Sequence, residues 1–349
     1  MPATARGPAA IAQPRSGRAG DLAATLPDPA ELVALGRALH NSGYAFVTPT
    51  PLTHARVNAR PGNAIARSLR DVFGWSRPGP PELFPAGMLE TMRRAGIVEQ
   101  RGPLVASTVR FSSLQGLLFA HSAYPTSAPD SVFFGPDTYR FVRLIERALS
   151  DAATMPRSIL DLGCGSGAGG LVAAQLAGNR PMLVLADINP KALVLACANA
   201  ALAGIETVLL AGDLCRPFAA EARFDLVVAN PPYLVDPSGR TYRSGGGPLG
   251  AELSLRILRD GAAHLAPGGR LVLYTGAAMV EGRDPFREAA AALLDGLGLE
   301  YQYGELDPDV FGEELETDAY REVDRIAAVS LIVTARPRKS VAASRGEPS

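Results

Sequence analysis

Apolar and polar positions fall into two regimes along the chain. From residue 158 onward, short apolar runs alternate with longer stretches of helical spacing. Runs at 158–162, 181–187, 207–211, 225–229 and 270–275 predict strands, and two more at 300–304 and 326–334 bring the total to seven. Alternation with helices implies a sheet covered on both faces. Between them the period is helical, and Asn189-Pro190 offers an N-cap followed by a first-turn proline. Alternating strand and helix predicts an α/β fold, a doubly wound, mostly parallel seven-stranded sheet of the Rossmann-like type.

Residues 29–127 follow a different pattern. Leu32, Leu35 and Leu39 place a helix over 30–41, and further helices are expected at 64–73 and 85–95. Beyond Gly96 the text turns β-like, with runs at 104–111 and 117–121 that predict a hairpin. Helices followed by a hairpin suit a smaller, winged-helix-like N-terminal domain, read as the substrate-recognition domain. A turn at Phe133-Phe134-Gly135-Pro136-Asp137-Thr138 precedes an amphipathic helix over 139–149 and leads into the second domain, 128–335. Residues 1–28 and 336–349 are Ala-, Gly- and Pro-rich or polar and are expected to be disordered tails.

Composition narrows the function. Hydrophobic residues make up 47% of 349 positions, enough for a sizeable core. No apolar run reaches the roughly 18 residues of a membrane span. Cys164, Cys197 and Cys215 fit no zinc spacing, so reduced thiols, a cytoplasmic location and no metal are expected. The net charge of -1 excludes a whole-molecule field for nucleic acid but permits a local one. Nine arginines against four acids between His54 and Arg110 form either an RNA-gripping face or a solvated surface. His121 reads as a structural histidine, Trp75 with Phe73 as core, and the acids from Glu305 to Asp324 as a solvated face.

The chemistry sits in two turns. Ile159-Leu160-Asp161-Leu162-Gly163-Cys164-Gly165-Ser166-Gly167 is a buried strand running into a glycine turn, which lets backbone approach a ligand at a strand's carboxyl end. Gly165, Gly167 and Gly170 also satisfy the dinucleotide spacing, with Asp187 about twenty residues on, so a nicotinamide cofactor is an alternative. Asp161 favours a methyl donor instead, since a carboxylate there repels a pyrophosphate and suits an aminoacyl ammonium. Asp187 is placed for ribose hydroxyls or for capping the next helix. Asp213, in Ala211-Gly212-Asp213-Leu214, is placed for an adenine amino group or is an ordinary loop aspartate.

The second turn is Asn230-Pro231-Pro232-Tyr233, directly after the fourth strand. Two prolines stiffen the backbone so that the Asn230 side chain and Pro231 carbonyl act as fixed acceptors. Together they hold both hydrogens of a planar NH2, aligning its nitrogen and stabilising the positive charge that develops there. Tyr233 can stack on the planar group. A proline-capped turn with no ligand is the bland reading, and its pairing with the glycine turn argues against it.

These residues resemble the class I S-adenosylmethionine-dependent methyltransferases, in particular the "small" methyltransferase branch that contains the release-factor glutamine N5-methyltransferases. The resemblance covers about 131–334. It implies S-adenosylmethionine as cofactor, held by Thr138, Asp161, Gly163, Gly165, Gly167, Asp187, Asn189, Asp213, Leu214 and Asn230. It implies an acceptor clamp at Asn230, Pro231, Pro232 and Tyr233. Leu265-Ala266-Pro267-Gly268-Gly269 looks like the family's loop before the fifth strand. Gly-Pro-Asp-Thr at 135–138 replaces the more usual Arg-Pro-Glu-Thr, and the N-terminal region does not look like an all-helical recognition domain. The implied activity is methylation of a planar amide or amino nitrogen. A protein glutamine, with a translation factor as partner, stands ahead of an RNA or DNA base, then a small molecule, then a non-catalytic scaffold. The loop over 234–250 is expected to cover the site, with Thr241-Tyr242-Arg243-Ser244 a solvated part of it rather than substrate-facing.

Overall fold

The computed structural model describes residues 26–236, 240 and 242–336. Of the tails expected at 1–28 and 336–349, residues 1–25 and 337–349 lie outside the described residues, as do 237–239 and Thr241 in the loop. The domain boundary expected at 29 moves toward the N-terminus: the Asp28 carboxylate accepts from the amides of Ala30 and Glu31 and caps the first helix.

That helix is α1 (Pro29–Asn41), followed by α2 (Pro51–Asn58), α3 (Leu69–Phe73) and α4 (Met88–Arg94). Four short strands come next, β1 (Val98–Arg101), β2 (Leu104–Ser107), β3 (Val109–Leu114) and β4 (Leu117–Ser122). The helix expected over 64–73 shrinks to its last five residues. Ser68 caps α3 through the amide of Asp71, so the helix starts there and not at 64. Helix α2, with its Thr50 cap and Pro51 at the first turn, has too weak an apolar period to be read from sequence. The single expected hairpin is two: β1 pairs with β2, and β3 with β4, because the chain breaks at Thr108.

The larger part contains α5 (Pro136–Ser150), β5 (Ser158–Leu162), α6 (Ala168–Ala177), β6 (Met182–Asp187), α7 (Pro190–Ala203), β7 (Val208–Ala211) and β8 (Phe224–Ala229). It closes with α8 (Glu252–Ala263), β9 (Leu265–Met279), α9 (Pro285–Gly296), β10 (Glu300–Asp307) and β11 (Arg325–Thr334). The sheet has seven strands in the order β10-β11-β9-β8-β5-β6-β7. β9, β8, β5, β6 and β7 are parallel, and β11 runs antiparallel between β9 and β10. Residues 265–269, expected as a loop, are the first part of β9. The Gly268 amide donates to the Ala335 carbonyl, and the register with β8 shifts between Phe224 and Leu226, so glycine makes an irregular strand here.

Successive residues of β5 feed opposite layers. Ile159 packs with Phe141, Leu171 and Tyr274, while Leu160 and Leu162 pack with Ile257, Leu258 and Phe286. A third core joins Leu32, Leu35, Phe73, Met92 and Phe111 to Ala192, Leu195 and Ala198 of α7, so the N-terminal layer shares a core with the sheet's own helix. Each buried leucine there contributes on the order of 2 kcal/mol. Asn199 of α7 is fully buried and completes this joint. Its side chain pairs with both the amide and the carbonyl of Ala120 on β4, at 2.7 and 3.0 Å, and donates to the Ser166 carbonyl in the glycine turn at 2.9 Å. A buried amide with every group satisfied is a rigid strap.

Candidate active site

Strand order reverses between β5 and β8. The carboxyl ends of β5, β6, β7 and β8 open there into a cavity of about 220 Å³. Such a switch point leaves the strand ends uncovered and is where open α/β sheets take ligands. Each strand contributes its following loop: Asp161, Gly163 and Gly165; Asp187 and Asn189; Asp213 and Leu214; and Asn230 to Tyr233. Thr138, at the start of α5, lines the same cavity. Among the described residues no group of three or more His, Cys, Asp or Glu could hold a metal ion, and no helix is long and apolar enough to cross a membrane.

Gly163 and Gly165 have φ of 68° and 53°, a conformation side chains rarely adopt. A Cβ on Gly163 would meet open space, so the backbone itself is a cradle facing the cavity. Gly167, grouped with them from sequence, is not a lining residue. It starts α6, and a Cβ there would press on Leu171, Leu185 and Ala196. Its role is packing helix against strand.

Asp161 is buried, with one carboxylate oxygen accepting from the Gly170 amide at 2.7 Å. Burial pushes its carboxyl up to about 7 against that hydrogen bond, with Asp187 adding to the rise. Asp187 accepts from the Gly165 amide at 2.8 Å on one oxygen and from the Asn189 amide at 2.8 Å on the other. It therefore braces the glycine turn, and each oxygen keeps a lone pair. Its carboxyl too is raised by burial. Capping of α7 falls to Asn189, whose side chain accepts from the Lys191 amide and donates to the Asp130 carbonyl. Both ends of that amide are thus committed.

Two further residues carry partners that sequence did not reveal. The Thr138 hydroxyl accepts from the Gly135 amide and closes the cap of α5. Asp213 is ion-paired with Arg256 at 2.9 Å and Arg216 at 3.1 Å, so any amino group it receives shares the carboxylate with two arginines. Leu214 beside it has φ of 51°, a strained conformation for a leucine.

Asn230 is the opposite case. Among the described residues its side-chain amide has no hydrogen-bond partner, and neither has the Pro231 carbonyl, although Asn230 is half-buried and both residues line the cavity. Tyr233 is fixed in place. Its hydroxyl donates to Asp137 at 2.7 Å, and its ring covers Gly276, where any Cβ would lie 2.2 Å from the ring. Asp137 is the anchor: it is buried, also accepts from the Tyr274 hydroxyl at 2.6 Å, and pairs with Arg140 at 3.1 Å. Burial, with Asp137 alongside, lifts the Tyr233 phenol well above its usual range, so it stays a hydrogen-bond donor. Asp137→Ala would leave two buried hydroxyls without an acceptor. Chemical denaturation should read a loss of about 2–4 kcal/mol, and a loss below about 0.5 kcal/mol would mean that the hydroxyls find other partners.

Sequence also missed the roof. Tyr242 and Arg243, expected in solvent, line the cavity. The Tyr242 hydroxyl donates to the Thr126 carbonyl in the N-terminal layer, and Arg243 pairs with Glu314. Glu314 is buried and Asp307 pairs with Arg140, so two of the C-terminal acids close the site's border. Phe311 adds an edge-on ring 5.8 Å from that of Tyr233 and holds φ at 55°, a strained position that nothing in its local sequence signals.

Residues 142–280 match the family model described as methyltransferase small domain. A release factor glutamine methyltransferase of Cereibacter sphaeroides is 37% identical over 171 residues, 45% of this chain and 56% of that protein. A ribosomal protein uL3 glutamine methyltransferase of Bradyrhizobium diazoefficiens is 34% identical over 142 residues, 37% of this chain and 44% of that one. The chain spans about half the length of the curated relatives it matches. A solved methyltransferase from Pyrococcus furiosus aligns at 19% identity and a TM-score of 0.38, over 55% of this chain and 83% of that one.

Proposed function

We propose, from the premise that residues 142–280 form a class I methyltransferase small domain, that this protein methylates the side-chain amide nitrogen of a protein glutamine, using S-adenosylmethionine, in the cytoplasm. One observation carries the reading. The Asn230 amide and Pro231 carbonyl are unpaired among the described residues and line the same cavity as Asp161 and the open Gly163 backbone. Buried polar groups normally have partners, so a pair left free in a cavity suits a guest with two donors. A primary amide NH2 is such a guest. The resemblance to glutamine methyltransferases of translation proteins supports an acceptor of that class.

The cavity fits the cofactor. When bound, S-adenosylmethionine supplies an activated methyl group on sulfur. Asp161 would face the aminoacyl ammonium, the Gly163–Gly165 backbone would lie along the chain, and the free lone pairs of Asp187 would accept the ribose hydroxyls. Asn230 and Pro231 would hold the two amide hydrogens, turning the nitrogen lone pair toward the methyl. Tyr233, locked by Asp137, would form the flat wall on which the amide rests, and Phe311 would narrow the slot from the other side. Fixed acceptors meet the positive charge that grows on nitrogen without reorganising.

Asp187→Ala should weaken binding of S-adenosylhomocysteine by about 1–3 kcal/mol, roughly 5- to 150-fold. Unchanged affinity by titration would remove the ribose role and leave Asp187 as a brace for the turn. The reaction itself is tested by tritium transfer from labelled S-adenosylmethionine into an extract of the source cells lacking this gene. Label that is sensitive to protease and resistant to nuclease supports the glutamine reading. Nuclease-sensitive label assigns the acceptor to a base, and label absent with wild type and Asn230→Ala alike contradicts methyl transfer.

A further inference from the structure

The structure separates the nine arginines between His54 and Arg110 into two groups. Arg77, Arg93, Arg94 and Arg101 are tied to Asp71, Glu90, Glu31 and Glu99, and Arg110 is buried. The other four, Arg56, Arg60, Arg67 and Arg70, are exposed, and among the described residues none forms an ion pair with a carboxylate. They fall within fifteen consecutive residues. Arg56 lies on α2 and Arg60 just beyond its end. Arg67 reaches back to the Gly62 carbonyl at 2.9 Å, and Arg70, in the first turn of α3, lies over the Phe46 ring at 5.4 Å. No acid occurs anywhere from Leu32 to Arg70.

On its buried side, opposite the arginines, α2 is tied toward the site. His54 of α2 rests on the Tyr124 ring at 4.1 Å, and Thr126, two residues on, accepts from Tyr242 in the roof of the site. Exposed Val47, Leu52 and Ile65 lie in the same segment, so an acidic protein with an apolar patch is the competing partner. The excess of positive charge decides between the two, because the one adjoining carboxylate, Asp71, is committed to Arg77. A protein surface mixes charges, whereas phosphates repeat one charge at regular spacing, and the planar guanidinium matches a phosphate in two-pronged fashion.

We propose that Arg56, Arg60, Arg67 and Arg70 bind the phosphate backbone of a nucleic acid. The proposal is independent of which nitrogen is methylated. Fluorescence anisotropy of the purified full chain tests it with labelled RNA and DNA hairpins of one sequence. Four phosphate contacts predict an affinity that falls roughly 100-fold between about 50 and 200 mM salt. Arg56→Ala with Arg60→Ala, and separately Arg67→Ala with Arg70→Ala, should each weaken binding at least about fivefold, while the matching lysine variants keep most of it. S-adenosylhomocysteine affinity should be unchanged in every variant, which also shows that each is folded. Binding of either hairpin on these terms supports the proposal, and the two arms tell RNA from DNA. Absence of binding to both at about 50 mM salt overturns it. So does binding that the alanine pairs leave intact, or polyglutamate competing as well as RNA, which would assign the face to an acidic protein.

Discussion

Asn230→Ala should lower kcat by about 100- to 1,000-fold while S-adenosylhomocysteine binds within about threefold of wild type. The scale is that of removing one preorganised hydrogen-bonding group from a developing charge. The asymmetry follows from the geometry. The Asn230 side chain has no partner among the described residues, so truncation orphans no protein group and should not disturb the fold. Asp161 and Asp187, on neighbouring strands, keep their contacts with Gly170, Gly165 and Asn189. Transition-state stabilisation is then lost without ground-state cofactor binding. Rapid quench with saturating cofactor reads the chemical step. A kcat within threefold of wild type would mean that the amide is not held at this turn.

The second large effect is a pH dependence of cofactor binding. The Asp161 carboxyl is raised to about 7, chiefly by burial. The folded protein therefore keeps a proton that the unfolded chain gives up, and ligand-free stability should fall as pH climbs from about 4 through 7. Binding moves the other way, because only the ionised carboxylate pairs with an ammonium. Affinity for S-adenosylhomocysteine should rise roughly eightfold between pH 6 and 7.5, as the ionised fraction of a group with pKa about 7 grows. Asp161→Asn should bind roughly 10- to 100-fold more weakly, with a flat profile over that range. A flat wild-type profile would place the ammonium elsewhere.

Much of the sheet could be read from the chain. All seven strands fall where the sequence predicts them, and the inner ones are plainest because a strand covered on both faces has little freedom in composition. Asn189-Pro190 marks the start of α7 through purely local chemistry. The glycine turn and Asn-Pro-Pro-Tyr were visible for the same reason: each packs its chemistry into a few consecutive residues. What escaped depends on distant pairs. Asp137 meets Tyr233 and Tyr274 across 96 and 137 residues, Asn199 straps a strand 79 residues away, and Tyr242 reaches back to Thr126 across 116. No periodicity encodes such contacts. Gly167 could not be told from Gly163 and Gly165 in the sequence, because a packing glycine and a ligand-facing glycine look alike until their Cβ directions are known. The N-terminal layer was hardest, since α2 is short with a single buried residue and the two ribbons owe their form to the core they share with α7.

Titration calorimetry of the purified chain at pH 7.5, with S-adenosylhomocysteine in one experiment and NADH in another, bears most directly on the methyl-donor cavity. One-to-one binding of the first at micromolar affinity, lost on Asp161→Asn, with no heat from the second, is the predicted result. Binding of NADH with no response to S-adenosylhomocysteine would contradict it.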